Sequence, residues 1–537
     1  MARRGARSVA LLVVLCAAPL DARDRQDGDS ADVDYRRGMD FARLEQWDQA
    51  RRALEAGRKK APRDKRFALE LAGVAFKQGR LGESKLELRR ALRLAPGDAY
   101  AADFLATLYF LDGNLRAALK YWNRAGKPRI EVVRTIPKPR VKPALLDRAL
   151  VFSPASLLRL EDLEATDARL DLLGIFPARR FALAPRQDGS FDLDLHLAEQ
   201  DGAGASRFAR LLPLLRGLPY QTVHPEFFNI RGTASSSISL LRWDGRKQRI
   251  ASSFSLPLAG DPRRRFTARF DARREEWDIS RSARPDAFER TDLRMQRLEA
   301  AAEVESIAGR GVRWETGAAL TRRRFPAAPQ QGSAAPALFA DGLSLKHLAG
   351  IRATLLSVPE RRFTAEAFAR WQAAKTFGDR SGRFAKLDGG LQWRYFPRPR
   401  GRDWEVSGAL GAGTLFGRAP LDELFSLGLE RDNDLALRGH AGTLAGRKGS
   451  GPLGTGYFLA NCDLQRAVYS GALWSIRAGP FVDTGRVYDT AGAFGSARRL
   501  WDVGLEVRIS LLDRVGIVFS YGRDLRAGRS AFYGTSR

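Results

Sequence analysis

From residue 213 to the C terminus the chain is written in a period of two. Phe266, Ala268, Phe270 and Ala272 alternate with Thr267, Arg269, Asp271 and Arg273. The closing segments repeat the pattern, with apolar residues at 503, 505, 507, 509 and 511 and again at 515, 517, 519 and 521. Gly504, Glu506, Arg508 and Ser510 fill the other face of the first of these. Successive side chains of a strand point to opposite faces, so each segment has one apolar and one polar side. A soluble sandwich has this pattern, and so does a transmembrane barrel with lipid outside and a polar lumen. At roughly twenty residues per strand and connection, about sixteen strands fit between 213 and 537. Sixteen tilted strands close a barrel and leave no edge. Trp243, Trp277, Trp371, Trp393, Trp404, Trp474 and Trp501 fall where strand ends are expected, as in an aromatic girdle.

The opposite end of the chain supplies an address. Three arginines lie within Met1–Arg7, Val9–Ala18 is apolar, and small residues with a proline follow. This reads as a secretory signal peptide over residues 1–22, cleaved after Ala18 or Ala22. The apolar run is shorter than the about twenty residues of a membrane-spanning helix. Cys16 stands near a lipoprotein position, but Leu15 before it fits poorly. No later stretch suits a membrane helix, so the mature chain is either soluble or a barrel. Only Cys462 remains after signal removal, which excludes an internal disulfide. The formal charge is +28, almost all from arginine. A nucleic-acid binder is disfavoured, because the arginines are spread through alternating strands and form no run. They suit a lumen wall or anionic lipid headgroups.

Between these ends lies a 34-residue repeat. Pro62 and Pro96 each close a unit. Gly38, Ala72 and Ala106 recur at one small position, and Ala50, Ser84 and Ala118 at another. Small residues there let paired helices approach, and Phe41, Ala75 and Tyr109, then Leu54, Leu88 and Trp122, occupy the intervening positions. The pattern over 33–128 resembles the tetratricopeptide repeat. Such arrays bind peptides or proteins and carry no chemistry of their own. A connector with Pro137, Pro139 and Pro143 follows, then a helical stretch over 144–173 and Gly174-Ile-Phe. Strands are expected at 179–184 and 191–197 around an Asp188-Gly189 turn, with 130–133 as a further candidate. Residues 130–202 resemble one periplasmic POTRA module, and a plain α+β linker remains the other reading.

Two motifs near the C terminus carry a wider resemblance. Leu437-Arg438-Gly439 is followed by His440, and about forty residues later comes Phe481-x-Asp483-x-Gly485. With these, the chain from about residue 145 resembles the BamA/TamA and two-partner-secretion barrels, the bacterial surface antigen superfamily. Pro225–Ile230 and Arg242-Trp-Asp resemble the start of that barrel. The resemblance implies that a long loop folds into the lumen and that Arg438 docks against Phe481 and Asp483. His440 departs from the family's usual aromatic residue, and the chain ends Gly534-Thr-Ser-Arg537 without a terminal aromatic. Alternation independently places Arg477, Gly479, Phe481, Asp483 and Gly485 on one face, with Trp474, Ile476, Ala478 and Val482 on the other.

The expected protein is multidomain: an all-α repeat array, a small α+β module and an antiparallel transmembrane barrel over 213–537. The lumen-loop contact would comprise Arg438, Gly439, Phe481, Asp483 and Gly485. The four histidines, His196, His224, His347 and His440, are isolated in sequence. No His-Glu-x-x-His, Gly-x-Ser-x-Gly or phosphate-loop pattern is present, so no enzyme, cofactor or metal is expected. The resemblance implies outer-membrane protein assembly or translocation. Its partners would be a client or periplasmic protein held by the repeats, and outer-membrane lipid, with no nucleic acid and an open oligomeric state. The N-terminal domains would be periplasmic. A scaffold anchored by an inert barrel and a surface-lipoprotein assembly modifier are the competing readings.

Overall fold

The structure is a computed structural model that describes residues 22–536 apart from 204–213, 215–216, 286, 289–290, 310, 327–335, 379–380, 399–400, 472–473, 491, 497 and 512–514. The expected signal segment lies outside the described residues but for its last residue, and Cys16 lies outside them. The chain divides into two compact units. One takes the chain through Leu111 with Arg124–Gly126, and the other takes Asp112–Asn123 and everything from Lys127.

The first unit is helical: α1 (Ala22–Arg43), α2 (Trp47–Lys60), α3 (Lys65–Lys77), α4 (Leu81–Leu94) and α5 (Ala99–Leu111). The repeat determines where helices start. Ala61-Pro-Arg-Asp64 and Ala95-Pro-Gly-Asp98 are equivalent stops. Each proline breaks the preceding helix, and each aspartate caps the next. Asp64 accepts from the Arg66 amide at 2.9 Å. Asp98 accepts from the Ala101 amide at 2.9 Å and from Lys65 Nζ at 2.6 Å. The small positions serve close approach. A Cβ on Gly38 would stand 2.6 Å from Leu54 Cγ, and Ser84 Oγ donates to the Ala72 carbonyl at 2.8 Å.

The second unit begins with α6 (Leu115–Trp122) and a mixed sheet. Its strands are β1 (Arg129–Ile136), β2 (Ser156–Leu157), β3 (Ala178–Pro185) and β4 (Phe191–Ala198), in the order β2-β1-β4-β3. β1 runs parallel to β4, and β3 antiparallel to it. Two helices lie between β1 and β3, α7 (Pro143–Ala149) and α8 (Leu160–Leu173), where the sequence suggested one stretch. Pro154 interrupts the helical pattern between them. α8 ends at Gly174 in the left-handed conformation, φ 70°, which glycine adopts without strain.

The rest is an antiparallel barrel. The first wall position combines β5 (Thr222–Val223) and β6 (Glu226–Ile230), both paired to β7 (Ser235–Trp243). Next come β8 (Lys247–Pro257), β9 (Arg264–Asp278), β10 (Asp292–Ala308), β11 (Val312–Arg324) and β12 (Gly342–Val358). β13 (Phe363–Phe377), β14 (Gly382–Tyr395) and β15 (Trp404–Gly417) continue the wall. A long loop, 418–455, then carries the two-residue strands β16 (Phe425–Ser426), β17 (Thr443–Leu444), β18 (Arg447–Lys448) and β19 (Leu453–Gly454). The wall resumes with β20 (Gly456–Ser470), paired directly to β15, and ends with β21 (Trp474–Tyr488), β22 (Leu500–Leu511), β23 (Val515–Asp524) and β24 (Ser530–Ser536). This makes about fifteen wall strands among the described residues, against the about sixteen expected. The order brings β24 round to the first strand. There the Tyr220 hydroxyl stands 2.9 Å from where a Cβ on Gly534 would be.

Parity along the strands sorts the side chains. Outward positions carry exposed Ile250, Phe270, Leu345, Trp371 and Leu505, while inward neighbours such as Glu275, Arg323, Lys346 and Asp483 are buried. So much exposed apolar surface is foreign to a water-soluble monomer. Two tryptophans depart from the expected girdle. Trp277 shares the parity of Asp271 and Arg273, so it points inward and is buried among Leu293, Met295 and Leu421. Trp371 is outward but sits within β13, away from its ends. No helix among the described residues is long and apolar enough to cross a membrane.

Connections of three to eight residues lie at one end of the barrel; the other end has short turns at 244–246, 378–381 and 525–529 and all the long loops, 279–291, 325–341, 418–455 and 489–499. The α+β module meets the short-turn end: Arg313 pairs with Asp171 at 2.7 Å, and the Lys142 amide donates to the Gly232 carbonyl at 2.8 Å. α6 meets the turn between β12 and β13, where Lys120 Nζ is 2.7 Å from Glu360 and Asn114 Nδ2 donates to the Pro359 carbonyl at 2.7 Å.

The caps of the first unit carry a pH dependence. The Lys65 ammonium and the Ala101 amide hold the Asp98 carboxyl below its ordinary value. A depressed folded value stabilises the folded state above the unfolded pKa, about 3.9 for aspartate, and that contribution fades as pH falls through the folded value. Asp98→Ala should cost about 1 kcal/mol and remove this part of the acid sensitivity. Amide exchange of α5 across pH 3 to 7 is the measurement; equal acid sensitivity in both proteins would exclude Asp98 as the source.

Candidate functional site

The long loop does not leave the barrel. It runs back inside and meets the wall in three places, each with charges complementary to the strands behind it. At the first, Asp422 and Glu423 follow Leu421 in a short 3-10 turn. Arg323 Nε lies 2.8 Å from Asp422, Arg297 lies 3.2 Å from it, and Lys346 Nζ lies 2.7 Å from Glu423. Gln372 Nε2 also donates to Glu423 at 3.1 Å. Four consecutive strands, β10 to β13, thus reach one acidic pair. Leu421 and Leu424 pack beside it with Phe325 and Phe494.

At the second, Glu430 and Asp432 meet β7 and β8, and Lys448 meets β9. Arg242 and Arg249 lie 2.8 and 2.6 Å from Asp432. Lys247 lies 3.3 Å from Glu430. Lys448, from the returning limb of the loop, lies 2.8 Å from Glu275 and 3.4 Å from Glu430. The loop is acidic and the wall basic at the first contact; at the second the same holds for Glu430 and Asp432, while Lys448 of the loop answers the acidic Glu275 of β9.

At the third the signs reverse. The wall of β20 to β23 is laid out in register: Asn461 opposite Asp483, Asp483 opposite Asp502, and Asp502 opposite Asp524. The neighbouring row is Asp463, Phe481, Gly504 and Gly522. The two glycines leave a trough along that row. A Cβ on Gly522 would stand 2.1 Å from the Arg438 carbonyl oxygen, and one on Gly504 would stand 2.6 Å from Phe481 Cζ. The loop tip lies in this trough. Arg438 Nε and Nη2 donate to the two oxygens of Asp483 at 2.9 and 2.7 Å, a bidentate fork. Its Nη1 donates to Asp463 at 2.5 Å and to Glu506 at 3.1 Å, and its amide donates to Asp483 at 3.0 Å. The guanidinium carbon is 3.7 Å from the Phe481 ring centroid. Asn461 ties the Ala436 carbonyl, at 2.9 Å, to Asp483, at 2.7 Å.

The structure therefore brings together Arg438, Gly439, Phe481 and Asp483. Gly439 donates its amide to Asp502 and has no room for a side chain, since a Cβ would stand 2.5 Å from Asp502 Cγ. Gly485 lies apart from the guanidinium, under the loop at Leu427, 2.9 Å from Leu427 Cδ1 by the same measure. The motif reading missed Asp463, Glu506, Asn461 and Asp502. All are inward-facing polar residues of alternating strands, and that parity was the available signal.

Arg438 is buried, with 6 % of its side chain exposed, and it serves three carboxylates. Arg438→Ala removes the cation paired with Asp483 and leaves Asp463 and Glu506 with Arg508, at 4.0 and 2.6 Å, whereas Asp483→Ala leaves the guanidinium two partners. Losing one member of a buried pair costs about 3–5 kcal/mol. Arg438→Ala should reach that range in denaturant unfolding of the barrel, with Asp483→Ala clearly milder. The double variant should cost less than the sum, because the two share a contact. Strict additivity would contradict the arrangement. Gly522→Ala should expose the loop to protease without removing any charge, since its methyl group occupies the place of the Arg438 carbonyl.

The Tetratricopeptide repeat family model matches residues 35–99. No curated protein matches the chain. Among solved structures, BamA from Haemophilus ducreyi lacking POTRA domains 1-3 is similar at 13 % identity and TM-score 0.43, over 77 % of this chain and 85 % of that one. CdiB from Escherichia coli is similar at 13 % identity and TM-score 0.47, over 76 % of each chain. CdiB from Acinetobacter baumannii is similar at 11 % identity and TM-score 0.39, over 76 % of this chain and 73 % of that one. A tetratricopeptide repeat match at the N terminus is thus joined to a region whose similar solved structures are BamA and CdiB.

Proposed function

We propose that this chain is an outer-membrane factor for protein assembly or translocation, whose periplasmic repeats recruit a client or partner protein. The observation that carries the reading is the inward loop. A barrel built only to anchor needs no long segment held across its lumen at three separate wall sectors. Ionic contacts such as those of Asp422, Asp432 and Arg438 can be exchanged for contacts with water or a passing chain, so the loop is a constriction that can be released.

Supporting features surround it. An outward apolar face with a polar interior suits a bilayer. All the long loops gather at one end, which follows the usual asymmetry of outer-membrane barrels, whose short turns face the periplasm. The order strand, helix, two-residue strand, helix, strand, strand over 129–198 supports reading it as a POTRA-like module. With the helical array it would then lie on the periplasmic side. Exposed apolar residues of the array, Leu86 and Tyr100 among them, offer contact points for a protein ligand. A secretory leader on residues 1–22 fits this placement. No step of the proposed function requires catalysis.

The test uses the full-length chain in cells. A photo-crosslinking residue at Tyr100 should capture a protein partner, and Leu44→Asp with Leu86→Asp should weaken that capture while the barrel keeps its heat-modifiable migration. Capture together with unchanged assembly of every other surface protein would favour the anchored scaffold. No capture at Tyr100, Leu86 or Leu44 would move recruitment away from the repeats.

A further inference from the structure

Asp483, Asp502 and Asp524 stand side by side across three wall strands. All three are buried, and like charges directly opposite one another repel. Arg438 serves Asp483. Nothing equivalent serves the other two. Asp502 is fully buried; its Oδ2 accepts from the Gly439 amide and lies 3.1 Å from His440 Nδ1, and its Oδ1 has no hydrogen-bond partner. Asp524 accepts from the Arg526 amide at 2.9 Å through Oδ1 and turns Oδ2 to 3.6 Å from His440 Nε2. Among the described residues, the ion pairs at Asp502 and Asp524 involve His440 and no lysine or arginine.

Charge counting narrows what completes this cluster. Two buried carboxylates carry two negative charges. A protonated imidazole supplies one positive charge and leaves one carboxylate unbalanced, which is costly in a buried place. A divalent cation held by a neutral imidazole balances both. One donor atom each from His440, Asp502 and Asp524 lie within 4.8 Å of one another, and an ion whose opposed ligands span about 4.4 Å draws them slightly together.

We infer that His440, Asp502 and Asp524 form a divalent-cation site of one imidazole nitrogen and two carboxylate oxygens. This donor set suits a borderline ion of the zinc class. Calcium prefers about six to eight oxygens, more than the three residues supply. The ion joins the loop tip, through His440, to β22 and β23, next to the Arg438 contact. The site stands on the charge and geometry of these residues and not on the proposed transport role. Sequence spacing could not reveal it, because the three donors come from three separate segments.

The test titrates chelator-treated full-length protein in detergent with Zn(II) by calorimetry and with Co(II) by visible absorption. One saturable equivalent is expected, with a Co(II) spectrum. His440→Gln and Asp524→Asn should each weaken it at least tenfold, while His347→Gln keeps it. X-ray absorption of the zinc-loaded wild type should show a single imidazole among oxygen ligands. This last measurement decides the matter even where a variant fails to fold. Absence of a saturable equivalent, identical binding in all variants, or zinc without imidazole scattering would overturn the inference.

Discussion

One arginine inside the barrel organises its third sector. Arg438 reaches the lumen wall at the end of a long loop and meets Asp483, Asp463 and Glu506 together. Each of these acids is expensive to bury alone, and so is the guanidinium. Placed together they satisfy one another, and the Phe481 ring covers the cation's face. The glycines at 504 and 522 give this contact its room. The contact in turn fixes the tip, and with it Gly439 and His440.

The same logic runs round the barrel with the signs exchanged. Arg242, Arg249, Arg297 and Arg323 project inward, and the loop answers with Asp422, Glu423, Glu430 and Asp432. Much of the chain's basic character is thereby placed in a lumen rather than on a nucleic-acid-binding face. The pairing is long-range in sequence: Arg242 and Asp432 are 190 residues apart. These contacts form only once the barrel wall exists, so the loop reports on a completed barrel. Held at three sectors, the loop lines the lumen with charged contacts.

Much of this was legible in the sequence because it is local or periodic. Period-two alternation gave the strands and their inward faces, and a repeat of prolines and small residues gave the helical array. The face shared by Phe481, Asp483 and Gly485 follows from parity alone. Partners across strands were not legible. Asp463 and Glu506 meet Arg438 because Asp463 lies opposite Phe481 and Glu506 opposite Gly479, and register is set by turns and packing over the whole sheet. Trp277 shows the reverse error. Its parity with Arg273 and Glu275 already placed it inside, but its position near a strand end suggested a girdle. The helical stretch before Gly174 was read as continuous because its apolar pattern bridges the break at Pro154.

The central claim is that the loop tip is held inside the barrel by Arg438. Hydrogen–deuterium exchange of the full-length protein in detergent measures it residue by residue. In the wild type the amides of Arg438 and Gly439, bonded to Asp483 and Asp502, should exchange as slowly as the ladder of β21 and β22. In Arg438→Ala they should exchange rapidly, while the ladder stays protected. Rapid exchange of these two amides in the wild type, at the rate of an unstructured peptide, would contradict the account.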